Sequence, residues 1–307
     1  MENKILVEDI SKIQLAVHQS YKEHDLLKSI LDGLTDIEGF MFWDHQTEFE
    51  QLLQSDFIEF ALEKEAEAFV NEDFYQLPLY FNSNRAKGWV VMNTPYFRLS
   101  TFNFDQKLVQ KHREANKDKA SSLQVAPQDQ LLYFPKGGNT LLDIYEVADV
   151  SPDKPAGSRM FLKESIAIQD GQFVKVLAGK QALHFKHVEQ DVSYHEISSV
   201  QSDLRVIGEY NLDSLQLVGV SAANLSSSRA EMFSEMVANF NHKPSIPVLE
   251  KLCSHKDHFV RWSSATALYA LDNEAGENMI RKLTDDPHLD VQQTAKHCVS
   301  MFESERA

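Results

Sequence analysis

The chain has 307 residues, 43% of them apolar, and a formal net charge of −16; this is enough apolar content for one large or two ordinary domains with real cores, and it argues against extended disorder. The acidity argues against nucleic-acid binding, since it repels phosphate backbones, and no apolar run is long enough to span a membrane. Two cysteines, Cys253 and Cys298, exclude a disulfide framework, and the amino terminus lacks the charged-then-apolar layout of a secretory signal, so the expected compartment is the cytoplasm.

The acidity is concentrated at the start. Residues 1–75 hold 18 Asp and Glu against 5 Lys and no Arg, a net −13. Apolar residues recur there at helical spacing, at Ile10, Ile13, Val17, Leu26, Leu27, Ile30 and Leu31, and again at Leu52, Leu53, Phe57, Phe60 and Ala61. Residues 1–76 are therefore expected to form an acidic helical subdomain or lid, broken at Gly33 and Gly39. Its charge is expected to be a solvated face, with a basic partner as the alternative.

From Leu77-Pro78 the character changes. Short β-favouring runs at 89–92, 97–104, 130–134, 140–147, 159–168, 173–177, 182–188, 192–197, 204–210 and 215–220 alternate with turn signals such as Lys136-Gly137-Gly138-Asn139 and Asp170-Gly171. Short strands joined by tight turns predict an antiparallel barrel or roll over 77–224. One segment, 107–122, interrupts them; its Lys107, Lys111, His112, Arg113, Lys117 and Lys119 read as a basic helix or long loop that balances local acidity. Lys136-Gly137-Gly138 lacks the spacing and Lys-Ser/Thr ending of a phosphate-binding loop.

Chemistry in this region would fall to histidines. His187 and Glu189 share one strand face, His184 points to the other, and His195 lies on the next strand. With His112 from the basic segment, His187, Glu189 and His195 form a candidate metal set, because two histidines and a carboxylate suit Fe(II) or another divalent metal. The competing expectation is surface or hydrogen-bonded histidines on polar strand faces. Nucleophilic catalysis has still weaker support: there is no Gly-x-Ser-x-Gly elbow, and both cysteines fall on packing faces.

The run Ile168-Gln169-Asp170-Gly171, then Leu177-Ala178-Gly179, then His184 and His187, resembles the turn-rich layout of the cupin superfamily at the level of pattern. That resemblance implies a β-roll whose iron ligands, His-x-His-x(3–4)-Glu and a later His, face the interior. Here His184-Phe185-Lys186-His187 has the wrong parity for the motif unless a bulge intervenes.

Residues 225–307 read as helices. Ser226-Ser227-Ser228 is expected to turn the chain and cap a helix over 227–240, whose stripe carries Met232, Phe233, Met236, Val237 and Phe240. A cadence then occurs twice: Val260-Arg261-x-x-Ser264-x-x-Ala267-Leu268 and Val291-Gln292-x-x-Ala295-x-x-Cys298-Val299. Small residues at threes and fours let helices approach closely, with Asp257 and Asp286-Pro287 as expected caps. Residues 244–302 resemble HEAT repeats on Asp257, Val260, Arg261, Ala267 and Leu268, the second copy departing at Gln292 and Cys298. The resemblance implies a scaffold that docks proteins, with Arg261, Trp262 and Gln292 as candidate interaction residues. Two copies are too few to stand alone, so a helical buttress is expected rather than a solenoid.

The chain is thus expected to be α+β and to act as a ligand-binding or regulatory interaction protein, with a small ligand in the β domain and a protein partner on the carboxy-terminal helices. The alternative is a cupin-like metal-dependent oxygenase or isomerase acting on a small molecule or peptide.

Overall fold

Helical spacing in the first quarter produces four α-helices: α1 (Glu2–Ser20), α2 (Asp25–Leu34), α3 (Gln46–Gln54) and α4 (Phe57–Asn71). The computed structural model describes residues 2–35, 39–72, 75–77, 80–82, 86–115, 121–148, 159–200 and 202–306. The chain divides into two compact units, Met1–Val220 and Ser221–Ala307. It is α+β with antiparallel sheets, as expected, but the described strands form three separate sheets and no closed barrel.

The largest sheet has six strands, in the order β1 (Tyr80–Asn82), β2 (Ala86–Asn93), β3 (Phe97–Phe104), β10 (Val192–Ser199), β5 (Gln130–Lys136) and β8 (Gln172–Val176). A second sheet orders β7 (Met160–Ile168), β6 (Thr140–Val147) and β9 (Gln181–His187); the third orders β12 (Leu217–Ala222), β11 (Val206–Asn211) and β4 (Ser122–Gln124). The basic segment supplies helix α5 (Gln106–Ala115); the remainder of that segment to residue 120 lies outside the described residues.

Strand alternation decides what each face of the large sheet meets. Trp89, Val91, Phe97, Leu99, Leu131 and Ile197 turn to one side and share a core with Tyr21, Leu27, Phe49, Leu52, Leu53 and Phe57 of the amino-terminal helices. Their neighbours Leu132, Phe134, Val174, Val176, Val192 and Tyr194 turn to the other side and join Leu142, Ile144 and Ile168 of the β7-β6-β9 sheet. That second sheet presents Tyr145, Val147, Met160 and Ala182 to a further core with Val125 and Tyr210. Three apolar layers therefore stack within the first unit, and burial at ~25 cal/mol per Å² of apolar surface drives each of them.

One carboxylate is sealed into the helical layer. Glu65 is 2% exposed and accepts hydrogen bonds from the Tyr21 and Tyr75 hydroxyls, one on each oxygen. Burial first, and then the neighbouring carboxylate, push both phenols above their ordinary range.

Beyond the last residues of β12, the second unit is built of helices: α6 (Leu225–Asn239), α7 (Ile246–Leu252), α8 (His258–Leu271), α9 (Asn273–Lys282) and α10 (Leu289–Arg306). Its first helix starts earlier than the serine run suggested. Asn224 is the N-cap, accepting from the Ser227 amide at 2.8 Å, so the serines occupy the first turn. Ser227 then donates through its hydroxyl to Asp257. Asp257 is thereby drawn away from capping its own helix, and its side chain makes no cap hydrogen bond there.

The small residues of the cadence do what their size permits. Ser234 and Ser264 are buried with their hydroxyls 2.9 Å apart where α6 meets α8. A Cβ at Gly276 would lie 2.1 Å from the Tyr269 Cα, so α9 crosses α8 at a distance that only glycine permits.

Arg261 is buried, in contrast to its expected role as a docking residue. Its guanidinium forks onto Asp286 at 2.7 and 2.6 Å and donates to the His255 and Lys256 carbonyls at 2.9 and 3.0 Å. Burial alone would raise the Asp286 carboxyl, but the Arg261 guanidinium and the His288 amide hold it below its ordinary value. The link ties the start of α8 to the turn before α10, and glutamine at position 292 cannot repeat it.

Arg261→Ala would leave Asp286 buried without its counter-charge, and is expected to destabilise the helical unit by about 3–5 kcal/mol. Arg261→Met combined with Asp286→Leu should cost much less, since no charge is stranded. Urea denaturation followed by circular dichroism reads both; an Arg261→Ala chain as stable as wild type would contradict the assignment.

Candidate functional site

Two places gather chemistry-bearing side chains. The first is the space between the six-stranded sheet and the β7-β6-β9 sheet, where the expected metal site would have lain. The strands that line it present aromatic rings. Phe102 and Tyr194 stack at 4.7 Å between centroids, Phe104 and Phe185 at 4.9 Å, and Phe134 stands 5.4 Å from Tyr194. These contacts form a packed interior with dispersion and quadrupole attraction on all sides.

The histidines fall elsewhere for a reason of parity. On β10, Tyr194 faces this interior, so His195 faces the amino-terminal helices, where its Nδ1 lies 2.9 Å from the Thr101 hydroxyl and its ring 6.2 Å from that of Tyr133. Burial pushes the His195 imidazole down to about 4, so it is neutral at physiological pH. On β9, Leu183 and Phe185 pack toward the interior, which turns His184 the other way. A bulge lies at Leu141/Leu142 opposite His187, but His187 remains 58% exposed, 3.4 Å from an exposed Glu189. The His112 side chain lies outside the described residues.

The structure therefore pairs His187 with Glu189 and leaves His195 on a different face of a different sheet. Among the described residues, no group of three His, Cys, Asp or Glu is placed to hold a metal ion. The lining of the interior does not fit Fe(II) or another divalent cation: it is chiefly phenyl rings and aliphatic chains, and no histidine joins the Tyr194 phenol and Glu196 carboxyl there.

One ionisable pair does reach the interior face. Glu196 and Arg98 alternate with Tyr194 and Phe102 on neighbouring strands, Arg98 opposite Ser198 and Ser100 opposite Glu196. Burial lifts the half-buried Glu196 carboxyl to about 7, against the opposing pull of Ser198 and Arg98. Neither residue was singled out by the sequence, where Glu196 is one acid among many.

The second place lies between α6 and α8 in the helical unit. A groove of about 500 Å³ is lined by Glu231, Glu235, Phe259, Trp262, Ser263 and Thr266, with Ala238, Asn239 and Ala267 completing its walls. The spacing explains it: 231, 235 and 238 form one face of α6, and 259, 262, 263 and 266 one face of α8. The two faces run parallel for about 10 Å at 1.5 Å per residue.

The groove is acidic and aromatic at once. No lysine or arginine is among its lining residues, and Glu231 is raised above its ordinary range by burial first and then by the Glu235 charge. Two carboxylates and an indole thus share one lining that holds no lysine or arginine. Of the three expected interaction residues, only Trp262 lines this groove; Arg261 is locked onto Asp286, and Gln292 is half-buried on α10.

No protein-family model matches the chain, and no match is found among curated proteins. Solved structures with partial likeness include the polyketide cyclase RemF from Streptomyces resistomycificus, at 12% identity over 49% of this chain and 77% of that one, with a TM-score of 0.23. KdgF from Halomonas sp. gives 12% identity over 40% and 88%, with a TM-score of 0.25. A sugar phosphate isomerase of the cupin superfamily from Silicibacter pomeroyi gives 7% identity over 45% and 77%, with a TM-score of 0.25. Likeness at this level leaves the functional reading to the residues themselves.

Glu196 provides a pH test of the interior. Its folded pKa of about 7 stands above the ordinary 4.5, so the folded chain holds a proton that the unfolded chain releases. That contribution is complete below the ordinary value and is lost as pH rises through about 7. Glu196→Gln should therefore gain on wild type as pH rises, by at most about 3.5 kcal/mol at ~1.4 kcal/mol per unit. Melting curves at about pH 5 and pH 8 measure this; a difference that does not change with pH would contradict the buried carboxyl.

Proposed function

We propose that this chain is a non-catalytic interaction protein whose carboxy-terminal helices dock a protein partner through a lysine- or arginine-bearing segment. The observation that carries the proposal is the α6–α8 groove, in which Glu231 and Glu235 flank Trp262 with no basic residue in the lining. A guanidinium or ammonium group entering there gains two carboxylates and an aromatic face, an attraction of ~0.5–2 kcal/mol for the ring contact alone.

The HEAT-like reading of 244–302 supports the same conclusion. In it, the buried Arg261–Asp286 link holds successive helix pairs in register, and the surface between helices serves for docking. The β unit is read as a cupin-like scaffold with an aromatic interior. Among the described residues the competing oxygenase or isomerase reading finds no metal-binding set, its histidines being dispersed between a strand end and the helix-facing side of another sheet.

The test is titration of fluorescein-labelled oligolysine into the full chain at low ionic strength, followed by polarisation. Binding should weaken with added salt, as screened charge pairs do, and Glu231→Lys with Glu235→Lys should weaken it by about tenfold or more, ~1.4 kcal/mol. Equal binding by this variant, or no binding by wild type, would remove the proposal.

A further inference from the structure

Beside the groove, α6 carries an apolar stripe that the helical unit does not cover. Met232, Met236 and Phe240 are 65%, 48% and 76% exposed. They recur every four residues along one ridge, about 12 Å in length at 1.5 Å per residue. Each is the chain neighbour of a groove residue or of its successor: Glu231 precedes Met232, Glu235 precedes Met236, and Asn239 precedes Phe240. Acidic groove and apolar ridge therefore run side by side along a single helix.

An exposed apolar ridge of this length beside unneutralised acids is complementary to one kind of surface, with apolar residues every three or four positions and cations on the adjacent face. Ridges at a spacing of four interdigitate with ridges of the same spacing on another helix. Methionines suit such a site, because their unbranched, polarisable chains repack around different apolar partners. An anionic membrane surface is disfavoured by Glu231 and Glu235 themselves.

Resting on the groove reading above, we infer that the partner segment is a basic amphipathic helix lying along α6. Its apolar face covers Met232, Met236 and Phe240, and its lysines or arginines reach Glu231, Glu235 and Trp262.

The experiment uses three labelled peptides with the full chain: oligolysine, a Leu/Lys peptide of about 14 residues with leucines at helical spacing, and the same composition scrambled so that no apolar face forms. The helical-spacing peptide should bind about tenfold tighter than the scrambled one and gain helical circular dichroism on binding. Met232→Ser with Met236→Ser should erase that advantage while leaving oligolysine binding unchanged. The inference is overturned if the scrambled peptide binds as tightly, if the methionine variant keeps the advantage, or if anionic vesicles compete the peptide away by binding the protein. Failure of oligolysine to bind removes the groove reading as well; oligolysine binding with no gain from leucine spacing removes only the helix.

Discussion

The two-residue alternation of strand β10 governs what the first unit can do. This strand is central in the six-stranded sheet, with both faces covered, so each side chain is committed to one of two interiors. Tyr194 goes to the aromatic core and His195 to the helix-facing side. A shift of one residue in register would exchange them and put an imidazole among phenyl rings. The apolar packing of Ile197 with Phe49 and Phe97 on one face and of Val192 with Phe134 on the other holds the register in place. The chemistry available to the β unit follows from that commitment: the histidine is neutral and hydrogen-bonded to Thr101, and the interior is left with rings and a single carboxyl of raised pKa.

In the helical unit the corresponding constraint is electrostatic. Asp257 and Asp286 are both buried, and each is answered by a group from another turn of the chain: Ser227 for the first and Arg261 for the second. A buried carboxylate without such a partner would be strongly destabilising. Asp286 has its charge balanced by Arg261 inside the unit, and Asp257 is hydrogen-bonded by the Ser227 hydroxyl. Glu231 and Glu235 stand instead along the α6–α8 groove, whose lining they share with Trp262. The carboxylates answered inside the unit serve its architecture; under the proposed reading those along the groove serve recognition.

Much of the architecture was legible in the sequence. Helical spacing placed the amino-terminal and carboxy-terminal helices, and alternating β-favouring runs between turn signals located most of the strands, because burial on one face leaves a periodic trace. Simple alternation put His184 and His187 on opposite sides of β9, but the bulge at Lys186 sets both on the non-interior face, opposite Asp143 and Leu141. Legibility failed where a side chain's partner lies far along the chain. Arg261 looks like a surface residue within its own helix, and only the position of Asp286 shows that it is buried. Glu231 and Glu235 are ordinary helix acids until α8 brings Trp262 beside them, and Asp257 is an expected cap until Ser227 claims its carboxylate.

The most direct measurement is a nitrogen-15 NMR titration of the three indole N–H signals with oligolysine. Trp89 and Trp43 have their ring nitrogens buried in the first unit, whereas Trp262 lines the groove. The account predicts that the Trp262 resonance shifts on titration, that the other two stay in place, and that Glu231→Lys with Glu235→Lys abolishes the shift. A Trp262 signal that does not move while peptide binds, or a response at Trp89 in the helix-facing core of the first unit, would contradict recognition by the helical groove.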